Sequence, residues 1–327
     1  MVERSEDDWR RIGDNVIAAI SGSDEQCYSI LSSSYSHLPN HLKPCFLYMG
    51  AYPEDYEIKG SRLINMWVAE GFVKSNGERV LEEEAKDWLK SLVERNLFLV
   101  NKYKMNGKPK GYGMHDMLRD ICIKKSAEDK FLNGSNKFTF SNPRRMSFHT
   151  SNEMDDVNGS TESMSLTRSV ICIGFQYPKF ASGAFFTERF LRVLDLMDMW
   201  LDGFPTEIFE FVNLCFLAAN CNSMPRGISR LWNLQTLIFK GEFDEPAELW
   251  KLSEIRFLKV HGIDLLKDEK MNYSVLNKLQ MISLTLRRVE ATKLDGFLKG
   301  VPNIKKLSIH DCFQRQLILA IFTSSKD

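Results

Sequence analysis

The sequence predicts an α+β chain of two bodies, a helical one followed by a β-rich one, and three observations carry that expectation. The chain has 327 residues, more than one ordinary domain. Its first third repeats apolar side chains at spacings of three and four, the mark of amphipathic helices. From Leu191 onward the pattern changes to LxxLxL, recurring at a period of about 20 to 25 residues, which is the signature of a repeat solenoid.

In the first third, Trp9, Ile12, Val16, Ile17 and Ile20 form one stripe of a helix over Glu6 to Ile20, broken by Gly22 and Ser23. Asp24 caps a second helix through Cys27, Ile30 and Leu31, ending near Leu38-Pro39. Pro39 opens a third, with Leu42, Cys45, Phe46, Leu47 and Met49, which Pro53 stops. A fourth starts at Ile58, lines Leu63, Ile64, Trp67, Val68 and Phe72 on one face, and ends at Gly71. Val80 to Arg95 is again helical. Two extended pieces follow, Leu97 to Lys102 and Gly111 to Met114, joined by a polar loop from Lys104 to Pro109; they read as a β-hairpin. Helices followed by a hairpin describe a winged helix.

A winged helix invites a test for nucleic-acid binding, and the sequence fails it. In the helix before the hairpin Glu82, Glu83, Glu84, Asp87 and Glu94 outnumber Lys86, Lys90 and Arg95, a face that phosphates repel. Lys102, Lys104, Lys108 and Lys110 make a small basic tip on the wing. Globally, 43 basic residues balance 43 acidic ones, so no net field draws the chain to nucleic acid or an anionic membrane. The seven cysteines, Cys27, Cys45, Cys122, Cys172, Cys215, Cys221 and Cys312, include no CxxC pair and suit free thiols in a reducing compartment. No signal-peptide core and no run of about 18 apolar residues occurs, so the expectation is a cytoplasmic or nuclear protein without a membrane helix.

Beyond the hairpin, Met117 to Lys125 is helical, Phe138-Thr139-Phe140 and Arg145-Met146-Ser147-Phe148 read as strands, and Ser151 to Ser165 as an exposed loop. LxxLxL units then stand at Leu191-Leu194-Leu196, Leu214-Leu217-Ala219, Leu234-Leu237-Phe239, Ile255-Leu258-Val260, Leu279-Ile282-Leu284 and Ile304-Leu307-Ile309, with a weaker copy around Arg168 to Phe175. Prolines 205, 225 and 246 recur between them and turn the chain to the convex side. These are leucine-rich repeats: each unit buries its leucines only against the next. On the concave strands the outward positions include Asp195, Asn220, Lys240, Lys259, His261, Lys306 and His310, a mixed polar surface suited to recognising proteins. The apolar end, Gln316 to Phe322, shows no recognisable cap, which predicts exposed leucines and aggregation.

Three segments carry a resemblance: His37 to Tyr48 (HLPNHLKPCFLY), Tyr52 to Ile58 (YPEDYEI) and Leu63 to Phe72 (LINMWVAEGF), followed by Met114-His115-Asp116. Together they resemble the late NB-ARC region and MHD motif of plant disease resistance proteins of the coiled-coil class, near the late blight resistance protein homologues. The resemblance implies residues 1–22 as the end of a helical subdomain, 23–128 as the winged helix, 129–165 as a connecting segment and 166–327 as the leucine-rich repeats. It implies that His115 contacts the β-phosphate of ADP in the intact family, that Asp116 supports the local turn, and that the partners are proteins: a pathogen effector or guarded host protein, and the nucleotide domain.

No GxxxxGK[ST] loop occurs in the chain, so the phosphate cradle and the magnesium hydroxyl are missing. The chain is expected to begin after the nucleotide domain, to hold no cofactor by itself, and to be no enzyme; ADP or ATP belongs to the intact family. A single contact from His115 could still bias a domain equilibrium by about 1 kcal/mol. The second reading is a leucine-rich-repeat adaptor such as an F-box-like ubiquitin ligase subunit, which a pulldown with the ligase scaffold separates from the first. An enzyme comes third, since no Ser/His/Asp or paired-carboxylate constellation converges.

Overall fold

A computed structural model describes residues 24–74, 77, 79–133, 143–149, 166–174, 190–264, 275–288, 300–311 and 317–322. The helix expected over Glu6–Ile20, the strand at Phe138–Phe140 and the loop at Ser151–Ser165 lie outside these residues.

The winged helix is built from short, strongly apolar segments. Helix α1 spans Asp24–Ser36 and α2 spans Lys43–Tyr48, continued by a 3-10 turn over Met49–Ala51. The helix expected to open at Pro39 opens instead with Pro44 in its first turn, where a missing N–H breaks no bond. Pro39 accepts from Leu42 N (2.9 Å) in the turn before it. Ile58, expected to start a helix, lies in the two-residue strand β1 (Ile58–Lys59). Helix α3, Gly60–Glu70, follows at once and ends at Gly71, whose φ of 78° is the left-handed C-cap that glycine adopts without strain. Helix α4 spans Leu81–Glu94 and buries Ala85, Leu89 and Leu92. Strands β2 (Leu99–Tyr103) and β3 (Pro109–Gly113) form the hairpin, and β1 joins it antiparallel to β3, giving the order β1-β3-β2. Helix α5, Asp116–Glu128, closes the module. Phe46, Tyr48, Tyr52, Trp67 and Phe98 fill its core, each nearly excluded from solvent.

Among the described residues the second body is one sheet of nine strands: β4 (Arg145–Phe148), β5 (Ser169–Cys172), β6 (Val193–Leu201), β7 (Phe216–Met224), β8 (Thr236–Phe243), β9 (Phe257–Asp264), β10 (Met281–Arg288), β11 (Lys306–Asp311) and β12 (Leu317–Phe322). Strands β4 to β11 are all parallel and in chain order, as stacked leucine-rich repeats require. The sheet therefore starts at Arg145, inside the stretch read as a connector. The proline-bearing segments form 3-10 turns at Thr206–Glu210, Ile228–Arg230 and Pro246–Lys251. At the far end β12 runs antiparallel along β11, with Leu307 opposite Ile321 and Ile309 opposite Leu319. The apolar end expected to have no cap thus forms a strand, and β12 rather than β11 is the edge of the sheet at this end.

Strand periodicity divides the sheet's side chains between two cores. Leu194, Leu196, Leu217, Leu237, Leu258, Leu284 and Leu307 point into the solenoid. Their neighbours Ile171, Val193, Phe216, Ala218 and Ile238 point the other way, where they are continuous with Leu63, Ile64, Trp67 and Val68 of α3. The winged helix is seated on the open face of the sheet, and the two bodies share a core.

Candidate functional site

Two places hold the residues expected to matter: the turn between the wing and α5, and the open face of the sheet. At the turn, three consecutive side chains diverge. Met114 is half-buried against the winged-helix core, with the Cys122 thiol 3.5 Å from its sulfur. His115 is exposed and is the N-cap of α5, its Nδ1 accepting from Met117 N across a long 3.4 Å. Asp116 is exposed in the first helical turn, where its charge favours the positive end of the helix dipole. The helix is held against the rest of the module by Arg119, whose Nε donates to the Tyr52 carbonyl at 2.7 Å. A histidine ring standing on a fixed helix start is free to reach a neighbouring group without rearranging the core.

On the open face, buried polar pairs join the two bodies within the shared apolar contact. Arg62 of α3 donates from Nε and Nη2 to both oxygens of Asp195 at 2.6 Å, with the Asp195 side chain fully buried and that of Arg62 11% exposed. Tyr56 donates to Asp198 at 2.5 Å beside it. Glu70, at the end of α3, accepts from Arg145 Nε and Nη2 at 2.9 Å, and the Ser169 hydroxyl donates to the same carboxylate. The Arg145 guanidinium also lies over the rings of Phe72 (4.9 Å) and Phe131 (4.2 Å). At the other end of the contact Glu82 receives a two-bond fork from Arg256 (2.6 and 2.7 Å), and Glu83 pairs with Lys305 at 2.5 Å. The acidic face of α4, unfit for phosphates, is thus partly taken up by basic side chains of the chain's own solenoid.

Asp195, expected to meet an outside partner, does not: it is covered by α3 and bound to Arg62. The other six expected residues are reachable to different degrees. Asn220 is half-buried, with its Oδ1 shut off from solvent and no hydrogen-bond donor. Lys240 is exposed; Lys259, His261, Lys306 and His310 are half-buried. The sheet register gathers them: Asn220 pairs with Lys240 across β7 and β8, and His261, Thr285 and His310 stand side by side on β9, β10 and β11. Thr285 Oγ1 lies 2.9 Å from His261 Nδ1. Burial pushes the Lys259 ammonium below its usual range, helped by Lys59, Lys110 and Lys306. Burial likewise lowers His261 to about 4, with Lys259, Lys240, His310 and Lys59 all repelling its charged form.

Sequence reasoning misses Arg62, Glu70, Glu82 and Arg145 as contact residues. For two of them a signal is present: Arg62 and Glu70 flank an apolar helix, LINMWVA, and charges set beside Leu63 and Ala69 need partners if that helix is buried all round. Among the described residues no cluster of His, Cys, Asp and Glu could hold a metal, and no helix is long and apolar enough to cross a membrane.

Comparison with known proteins places these features. Residues 51–122 match the disease resistance protein winged helix domain. Putative late blight resistance protein homolog R1B-16 of Solanum demissum is 34% identical over 327 residues, covering 94% of this chain and 25% of that protein. Late blight resistance protein R1-A of the same species is 32% identical over 340 residues, covering 94% of this chain and 26% of that protein. This chain therefore spans about a quarter of the length of the relatives it matches. Among solved structures, internalin C2 of Listeria monocytogenes is similar over 47% of this chain and 67% of its own, at 12% identity and a TM-score of 0.34, too remote a likeness to carry a conclusion.

Proposed function

Because this chain is a relative of the plant disease resistance proteins and carries their winged helix, we propose that it is the switch-regulating and recognition part of an intracellular immune receptor. The observation that carries this reading is the seating of the winged helix on the repeat sheet. A module placed there by a shared core and buried ion pairs transmits a change at the sheet to the MHD turn through rigid elements. Met114 anchors that turn, and exposed His115 is the group offered to a phosphate, with Asp116 supporting the helix start. The remaining open face, with Asn220, Lys240, Lys259, His261, Lys306 and His310, is the surface offered to a pathogen effector or a guarded host protein. Nucleotide enters only through a nucleotide domain, and the role is that of a cytoplasmic receptor rather than an enzyme. The late blight resistance relatives lend no support to a ubiquitin ligase adaptor.

The test is a chimera. Replacing the matching region of a late blight resistance protein homologue with this chain should preserve bound ADP and the capacity for hypersensitive cell death, and His115→Ala in the chimera should lose ADP. Undiminished ADP retention in that variant removes His115 from the switch. The isolated chain should show no ADP binding by equilibrium dialysis; a micromolar Kd there overturns the assignment of the pocket to another domain.

A further inference from the structure

We infer that the uncovered end of the open face, strands β8 to β11 together with Lys59 and Lys110 of the winged-helix sheet, docks an extended acidic segment of a partner protein. This rests on reading the solenoid as a protein-recognition surface and narrows it to one class of partner.

The face changes character along the array. Under the winged helix it presents Ile171, Val193, Phe216, Ala218 and Ile238. Beyond them it presents Lys240, Lys259, His261 and His310, interleaved with the hydroxyls of Ser283, Thr285 and Ser308 in register. The first part has its occupant already, and the second part is not built to receive an apolar one.

Charge separates the two parts again. The guanidinium groups that the winged helix covers meet its own carboxylates: Arg145 meets Glu70, and Arg256 meets Glu82. Past that boundary the pattern stops. Among the described residues Lys59, Lys110, Lys240 and Lys259 have no ion-pair partner, and the charged groups acting most strongly on Lys259 and His261 are lysines and a histidine. A half-buried cation such as Lys259, set beside the exposed Lys59, Lys110 and Lys240 without a counter-charge, is costly unless an anion completes the group.

The spacing decides what kind of anion. From β8 to β11 there are three strand intervals, about 14 Å at roughly 4.8 Å each. A compact phosphate cluster leaves the outer cations uncontacted. An extended chain of about five residues covers the same distance, and its acidic side chains reach Lys240, Lys259 and the wing lysines while the hydroxyls donate to its carbonyls.

The experiment uses the intact chain and fluorescence anisotropy with an eight-residue Glu/Asp-rich peptide, and the same peptide with Gln/Asn at every acidic position. The acidic peptide should bind, the neutral one should not, and affinity should fall steeply with salt. Lys259→Glu should weaken binding by about tenfold or more. Lys240→Gln, at an exposed position where the fold is not at stake, should weaken it in the same direction with an unaltered far-ultraviolet circular dichroism spectrum. Acidic-peptide affinity untouched by both substitutions overturns the inference, as does binding of tripolyphosphate at this face with no binding of the acidic peptide. Equal binding of the neutral peptide, lost in Lys259→Glu, overturns the narrowing to acidic partners while leaving protein recognition in place.

Discussion

Arg62 and Asp195, 133 positions apart in the chain, meet in a two-bond fork of 2.6 Å on each side. One charge is fully buried and the other nearly so. Removing one partner strands the other away from water, so Asp195→Ala should destabilise the chain by about 3–5 kcal/mol in urea unfolding. The double variant Arg62→Met/Asp195→Leu should recover most of that loss. Equal losses in the single and double variants would show that the fork contributes nothing beyond the packing around it.

Arg145 combines a fork to Glu70 with two aromatic faces, which a lysine cannot reproduce. Arg145→Lys keeps the charge and should still cost about 2 kcal/mol, read as a lower urea midpoint at an unchanged slope. An unchanged midpoint would mean that charge alone holds Glu70.

Gly241 lies within β8 at a φ of 153°, and a Cβ there would overlap the Cys221 carbonyl oxygen. Gly241→Ala should therefore cost about 3 kcal/mol, whereas Gly203→Ala, where a Cβ meets open space, should be far milder. Thermal unfolding of the two variants side by side distinguishes strain from a general effect of replacing glycine.

His261 should leave a pH signature. Burial, together with Lys259, Lys240, His310 and Lys59, lowers it from 6.5 to about 4 in the folded chain. Between those values the unfolded chain takes up a proton that the folded chain refuses, so stability falls as pH drops from 6.5 toward 4 and this contribution levels off below. His261→Gln should flatten that part of the profile in urea titrations between about pH 4.5 and 7. A profile identical to the parent would assign the acid sensitivity elsewhere.

His115 should behave in the opposite way, because it touches little. Its single cap bond is long and exposed, so His115→Ala should cost at most about 0.5 kcal/mol in this chain. A large loss would make it a structural residue rather than a free contact group.

The repeats are legible in the sequence because LxxLxL requires no knowledge of anything beyond the next unit: Leu194 and Leu217 mark their strands locally. The helix ends are legible where chemistry is local too, as at Gly71. Pro39 and Ile58 mislead because each has a neighbour that decides: Pro44 takes the helix start, and β3 recruits Ile58 into a strand. Asp195 is the largest miss. Strand alternation correctly turns it away from the leucine core, but alternation cannot say whether that side meets water or α3, since the deciding residue, Arg62, lies far away in the chain. The apolar residues at outward positions, Val193, Phe216, Ala218 and Ile238, hold the clue, for a sheet face bathed in water has no use for them.

The same distance has a consequence during synthesis. Chain growth delivers α3 well before the strands that cover it, with the span from Glu70 to Met224 still to be made. At typical elongation rates that interval is on the order of ten seconds. Over it the cover arrives in pieces, with Arg145 and Ser169 for Glu70 first, Asp195 for Arg62 next and β7 last, so the nascent winged helix is a natural client for a chaperone until β7 leaves the ribosome.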